Sequence, residues 1–430
     1  MTSQTITADF VSSITVPDEG DILVVKKGVT GIVSTVAISA ATEADDRQFI
    51  INGHVEATEA LLPGALSTAL IVGDQADTNA ASDTIVTIGK TGELIAVDVA
   101  LRIFAQESEI TNNGLIRADI GIAVFDEQNT IINNGRIFGQ TQAIDITGES
   151  VERSTIVNKG TIRATEGDAI KLAGGDNLIV NHGTIRIDTS FFTIEFDDLA
   201  GEQSVLINRG DIIGKSAAFI SRGGDDSVIN FGLIKGAVDL GNGDNRFVNR
   251  GEVTNTVFGR QGDDQYFLYG DKPILAEFTG EGRDTVHANF SFKLAENFED
   301  LILLGKGRIN ATGTDEANTL VGNTGANRLN GLDDKDMLDG GMGNDRLTGG
   351  LSRDVFVFED GYGKDTITDM TSEDIIDLSN MSVAVNRETV LSFAKQVGDD
   401  LVINFGLGDR LTIKNVDNEN DVHFFFSGDE

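Results

Sequence analysis

The stretch GNTGANRLN-GLDDKDMLD-GGMGNDRLT-GGLSRDVFV, residues 322–357, is four consecutive nonapeptides, and a fainter copy, GTDEANTLV, precedes it at 313–321. Every copy carries one apolar residue at the same place: Leu320, Leu329, Leu338, Leu347 and Phe356. The glycine-rich half of each copy makes a tight turn, since Gly reaches dihedrals that other residues avoid. The rest is a very short strand whose single apolar side chain enters a core. Two nonapeptides close one coil, so loops on one side recur every 18 residues. That spacing sets Asp336 against Asp354, Asn327 against Asp345, and Asn318 against Asp336. Backbone carbonyls and these side chains turn toward one point. Such an all-oxygen shell suits Ca²⁺, which takes about 6–8 oxygens at roughly 2.3–2.6 Å. The Asp336/Asp354 pair offers two carboxylates. The pairs holding Asn318 and Asn327 have one formal charge fewer and are expected to bind more weakly. Asp334 and Ser352 replace the fourth-position glycine and are expected to perturb their turns.

Upstream a different repeat takes over. Asn-x-Gly-x-Ile recurs as TNNGLI, IINNGRI, IVNKGTI, IVNHGTI, LINRGDI, VINFGLI and FVNRGEV. Its asparagines are Asn112, Asn133, Asn158, Asn181, Asn208, Asn230 and Asn249, spaced 19 to 27 residues apart. A unit that short cannot bury its own apolar face, but stacked units bury a continuous core. The period fits one coil of a parallel β-helix, with Ile156 and Ile162 inward and Arg163 outward. Asn side chains stacked at one corner can bond along the axis, and the following Gly supplies positive φ where the turn requires it.

From about residue 170 the turns become AGGDN, RGGDD, GNGDN, RQGDD and GEGRD, ending at Asn177, Asp226, Asn245, Asp264 and Asp284. These read either as a row of weak cation sites or as a solvated acidic edge. Asp264, within GRQGDDQYF, fits the stricter calcium pattern. Residues 1–110 are less regular, with Asn52-Gly53 as a degenerate Asn-Gly corner.

Composition narrows the function. The formal charge of −36 repels nucleic acid and anionic membranes and favours cations. There is no Cys, so disulfides and thiolate zinc sites are excluded. Oxygen ligands without clustered His argue against zinc and copper. No segment is long and apolar enough to span a membrane. The opening MTSQTITADFVSSITVPDEG shows no basic start with an apolar run, so no cleaved signal peptide is expected.

The nonapeptide block resembles the RTX, or hemolysin-type, calcium-binding repeat family, whose repeats form a parallel β-roll. NFEDLILLG at 297–305 and DTITDMTSEDIIDLSNM at 365–381 resemble the segments before and after the roll in serralysin-like and alginate-epimerase-like secreted proteins. The resemblance covers about 297–430. It implies an uncleaved C-terminal signal, the type I secretion machinery as a transient partner, and a roll that folds on meeting extracellular Ca²⁺. The terminal DVHFFFSGDE matches the family's ends only approximately.

The expected architecture is all-β, a parallel β-helix solenoid followed by a calcium-binding parallel β-roll. The expected divisions are 1–110, an irregular start or cap; 111–270, the β-helix; 271–312, a connecting β segment; 313–358, the roll; and 359–430, a C-terminal β cap with the export signal. No catalytic residue is assigned. His-Glu-x-x-His and Gly-x-Ser-x-Gly are absent, and His54, His182, His287 and His423 are scattered. The favoured expectation is a non-catalytic adhesin, matrix or surface component, extracellular or bound to a cell surface. The alternative is an extracellular polysaccharide lyase or epimerase. Arg117, Arg163, Arg186 and Lys235 fall on outward positions and could hold an anionic polysaccharide, or could pair with neighbours such as Glu166 and Asp188.

Overall fold

A computed structural model describes residues 3–16, 22–33, 36–40, 47–58, 66–73, 83–147, 153–199, 201–416 and 419–427. Residues 428–430 of the terminal SGDE lie outside it. The chain divides into two compact units, Met1–Gly259 with Gly270–Ile274, and Arg260–Tyr269 with Leu275–Glu430.

The first unit is a parallel β-solenoid. One coil runs through strands Thr155–Asn158, Thr161–Ala164 and Ile170–Ala173, and the next through Leu178–Asn181, Thr184–Ile187 and Phe192–Asp197. Alternation puts every second residue inside. Ile131, Ile156, Ile179, Leu206 and Val228 stack as one fully buried column, and Ile137, Ile162, Ile185, Ile212 and Ile234 as another. Each such side chain stabilises by about 1.5–3 kcal/mol, shared across coils that could not fold singly. The winding begins at the first described strand, Ser3–Ile6, which pairs in parallel with Ile22–Val25.

The asparagines form one continuous ladder. Nδ2 of each donates to Oδ1 of the next, at 2.8–2.9 Å, from Asn112 to Asn249. All seven are fully buried. The following glycines are required by close approach, and none of them adopts a positive φ. A Cβ on Gly160, Gly183 or Gly210 would lie 2.0–2.1 Å from the glycine carbonyl one coil earlier. Asn52 does not belong to the ladder. Register aligns Asn112 with Ile88 and Ile88 with Ile51, so the early coils fill that corner with Ile and Asn52 falls one residue beyond it.

In the second unit, strands Gln265–Leu268, Thr285–Ala288, Asp300–Leu303, Thr319–Val321, Met337–Asp339, Val355–Val357, Ile375–Asp377 and His423–Phe425 pair in parallel as one sheet. A facing sheet runs from Phe292–Lys293 through Asn310–Thr312, Arg328–Leu332, Arg346–Gly350 and Lys364–Ile367 to Asp409–Ile413. The single apolar residues of the nonapeptides, Leu320, Leu329, Leu338, Leu347 and Phe356, are at most 1% exposed between the two sheets. An antiparallel meander, Ala394–Val397 and Asp400–Gly406, closes the second sheet. Beside it lies the short helix Arg387–Ser392, capped by Asn386, whose Oδ1 accepts the Thr389 N–H at 2.9 Å.

Candidate metal centre

Two ladders of acidic corners line the roll. On one, the backbone N–H of Asn318 donates to Asp336 Oδ1 at 2.8 Å, that of Asp336 to Asp354 at 2.9 Å, and that of Asp354 to Asp374 at 2.8 Å. On the other, Asn327 donates to Asp345 at 2.7 Å and Asp345 to Asp365 at 2.8 Å. The coil pairings expected from spacing are therefore present, and each is a backbone donor to a carboxylate.

Each Asp spends one oxygen on the ladder. The other, Oδ2 of Asp336, Asp345, Asp354 and Asp365, is buried with no hydrogen-bond partner. Asn318 and Asn327 have no such remainder, since their Nδ2 atoms donate to the carbonyls of Phe298 and Ile309 at 2.8 and 2.7 Å. Glycine makes room for the carboxylates. A Cβ on Gly331 would sit 2.0 Å from Asp336 Oδ2, and one on Gly349 would sit 2.2 Å from Asp354 Oδ2. Burial pushes Asp336, Asp345 and Asp354 up to about 7, and Asp365 to about 8. Burying an anionic oxygen unpaired costs several kcal/mol, so these corners hold either a proton or a cation. The orphaned oxygens, the carbonyl-rich turns and the absence of sulfur donors fit Ca²⁺.

The turns survive their missing glycines. Asp334 at φ 62° and Ser352 at φ 82° adopt the left-handed backbone themselves, as does Leu332 at φ 100°. This costs roughly 1–2 kcal/mol per residue, yet the ladders pass through Asp336 and Asp354 unbroken. Sequence reasoning missed Asp365 and Asp374 because the spacing there widens to 20 residues.

Asp264 lies on a related corner. Its N–H donates to Asp284 Oδ1 at 2.9 Å, and the Asp284 N–H donates to Glu299 Oε2 at 2.7 Å. Asp264, Glu277 and Asp284 are all buried, each with a carboxylate oxygen within 4.8 Å of the others. Burial pushes Asp284 up to about 8. Glu277 belongs to no repeat motif and carried no sequence signal. In the first unit, Asn177, Asp226 and Asn245 are at most 1% exposed, so the expectation of a solvated acidic edge is corrected. Their side chains accept coil-to-coil N–H bonds from Ser154, Ser204 and Asp226.

Arg117, Arg163, Arg186 and Lys235 share one outward row. Register aligns Arg117, Phe138, Arg163, Arg186, Ile213 and Lys235 on successive coils. Asp188 pairs with both Arg163 and Arg186 and neutralises the middle of the row. Beside it is an open groove of about 710 Å³, lined by Arg117, Asp119, Phe138, Gln140, Arg163 and Glu166 among others. The Arg117 guanidinium lies 5.6 Å from the centre of the Phe138 ring. On an adjoining strand, buried Glu195 accepts from Arg222 Nε at 2.6 Å beside Asp168, whose carboxyl burial raises to about 6.

The RTX calcium-binding nonapeptide repeat, in four copies, matches residues 312–347. Two endo-1,3-1,4-beta-glycanases of Rhizobium meliloti (strain 1021), ExsH and EglC, are 41% and 37% identical over 163 residues. That is 38% of this chain, and the chain spans about a third of each relative. The extracellular lipase LipA of Serratia marcescens aligns over 52% of this chain and 45% of its own, at 16% identity and a TM-score of 0.22, too low to bear on the argument. These glycanase relatives overturn the expectation of a non-catalytic adhesin, matrix or surface component. They also replace the specific likeness to serralysins and alginate epimerases with a broader one. Among the described residues, no helix is long and apolar enough to cross a membrane. The chain is an all-β parallel solenoid with a C-terminal RTX-type region that binds Ca²⁺, distantly related to carbohydrate-active enzymes.

Proposed function

We propose that the chain acts on a glycan outside the cell, with a roll that folds on Ca²⁺ after export by type I machinery directed from residues 359–430. The observation that carries this reading is the 41% identity over 163 residues to an endo-1,3-1,4-beta-glycanase. In this reading Asp264, Asp336, Asp345 and Asp354 are calcium ligands, joined by Asp284, Asp365 and Asp374. Asn318 and Asn327 are the weaker positions at the start of the two rows. Bound Ca²⁺ supplies the charge that the orphaned carboxylate oxygens need, and the chain's own part is to hold those oxygens in register.

The glycan site of this proposal is the groove of the first unit. Phe138 offers an apolar face for a sugar ring, and Arg117 and Arg163 offer guanidinium donors for acidic substituents. Asp119 and Glu166 are the carboxylates in reach of a bound chain, the residue type on which glycoside cleavage runs. The full chain in millimolar Ca²⁺ is expected to release reducing ends from a mixed-linkage β-glucan or to cleave a polyuronate. Asp119→Asn and Glu166→Gln are expected to lower the rate about 100-fold or more, the scale of a lost acid or base. No product from either polymer, with no retention of the protein on either, would sink the proposal.

A further inference from the structure

One carboxylate of the first unit is left unexplained by the solenoid. Asp198 follows strand Phe192–Asp197 and is 4% exposed, and neither of its oxygens has a hydrogen-bond partner. Ser204 and Asp226 lie near enough to bear on its ionisation, without a hydrogen bond of normal geometry to it. Asp226 is fully buried; its Oδ1 accepts the Ser204 N–H at 2.7 Å and its Oδ2 meets the Ser221 hydroxyl. The same hydroxyl lies 3.1 Å from the Gly223 carbonyl. Gly224, at φ 90°, backs the corner, where an added Cβ would lie 2.8 Å from the Glu202 carbonyl and 3.2 Å from Asp198 Cβ.

No cationic side chain answers this charge. Arg222 adjoins the turn but is engaged by Glu195 at 2.6 Å and by Asp197 at 3.7 Å. Among the described residues no Lys or Arg forms an ion pair with Asp198 or Asp226. Two buried carboxylates at one corner, one with both oxygens idle, cannot both remain ionised without a counter-charge. The neighbouring donors are a hydroxyl and backbone carbonyls, which are hard oxygen ligands with no nitrogen or sulfur.

We infer that this corner is a calcium site of the first unit, in which Asp198 and Asp226 supply the carboxylates and Ser221 and the Gly223 carbonyl supply neutral oxygens. It stands outside the nonapeptides and follows none of their spacing. The site gives this corner of the first unit its own response to the ion, separate from folding of the roll.

The test counts calcium on the full chain by elemental analysis after dialysis against millimolar Ca²⁺. Asp198→Asn is expected to carry one ion fewer per chain than the wild type, with the roll's response to Ca²⁺ unchanged. Hydrogen exchange of peptides covering 193–199 and 219–228 is expected to slow with Ca²⁺ in the wild type and not in the variant. An unchanged ion count in Asp198→Asn would overturn the site and leave a proton shared between Asp198 and Asp226 as the explanation. Should Asp198→Asn fail to fold, the wild-type exchange decides alone: equal rates in Ca²⁺ and in chelator would overturn it.

Discussion

In the first unit each carboxamide from Asn133 to Asn230 donates to the next coil and accepts from the previous one, so the corner closes without charge. In the second unit the corners from Asp336 to Asp374 also join coil to coil, but a carboxylate only accepts. One oxygen takes the neighbouring N–H, and at Asp336, Asp345, Asp354 and Asp365 the other is left buried and bare. The two units solve the same problem, tying one coil to the next at a corner. They differ by an amide against a carboxylate, and that difference decides which of these corners needs an ion. Asn318 and Asn327 make the point inside the roll itself, where an amide restores the missing bond.

Removing Ca²⁺ should separate the two units most. In excess chelator at neutral pH the full chain is expected to lose part of its β circular dichroism. Backbone amides of 313–367 should exchange rapidly while those of the ladder strands Thr155–Asn158, Leu178–Asn181 and Val205–Asn208 stay protected. Binding confined to the folded state adds about 2.7 kcal/mol per site at 100 times Kd, and several sites act on a thin core. Mg²⁺ should substitute poorly, because it holds to a tight octahedral shell. Equal exchange in both regions, with and without the ion, would break the comparison.

Exchanging the two chemistries is a finer cut. Asn181→Ala leaves Asn158 Nδ2 and Asn208 Oδ1 without their 2.8 Å partners. The expected loss is roughly 2–6 kcal/mol, from two buried groups at about 1–3 kcal/mol each, and it should be the same in Ca²⁺ and in chelator. Asp354→Asn should act in opposite directions by condition. In chelator the roll melts higher, since a buried charge becomes an amide. In Ca²⁺ it melts lower, since a ligand is gone. Melting curves of both variants in both buffers check this, and a fall for Asp354→Asn in chelator would count against the orphaned oxygen as the source of calcium dependence.

Much of this could be read from the sequence, and the omissions share a cause. The nonapeptide phase placed Leu320 through Phe356 inside, and the Asn spacing placed one amide per coil, because both rest on strict periodicity. Asp365 and Asp374 were lost where the period stretches by two residues while the ladder continues. Glu277 and Asp198 belong to no recurring sequence motif, so only the folded chain brings them near Asp264 and Asp226. The glycines after the ladder asparagines stand out in the sequence, but the reason for them does not. Their need comes from a carbonyl one coil away, which no local dihedral argument contains. Asn52 shows the converse, an Asn-Gly pair whose register puts Ile51 at the corner instead.

The smallest expected effect is on pH, and it tests the same bare oxygens without mutation. In the unfolded chain these carboxyls ionise near 3.8, whereas burial holds Asp336, Asp345 and Asp354 near 7 and Asp365 near 8 in the ion-free roll. Between those values the folded roll keeps protons that the unfolded chain has released. Stability then falls as pH rises, since the folded state binds more protons. The contribution is fully present below about pH 4 and is lost through about pH 7–8. In chelator the roll is therefore expected to melt higher at pH 5 than at pH 8. With Ca²⁺ the ion displaces the proton, so binding releases protons and the calcium midpoint moves to higher concentration as pH falls from 8 to 6. The Asn112–Asn249 ladder has no titrating member, and exchange at its amides should show no matching transition. A roll that, in chelator, grows more stable from pH 5 to pH 8 would mean that its carboxylates are already satisfied within the chain, and the contrast with the asparagine ladder would fail at its root.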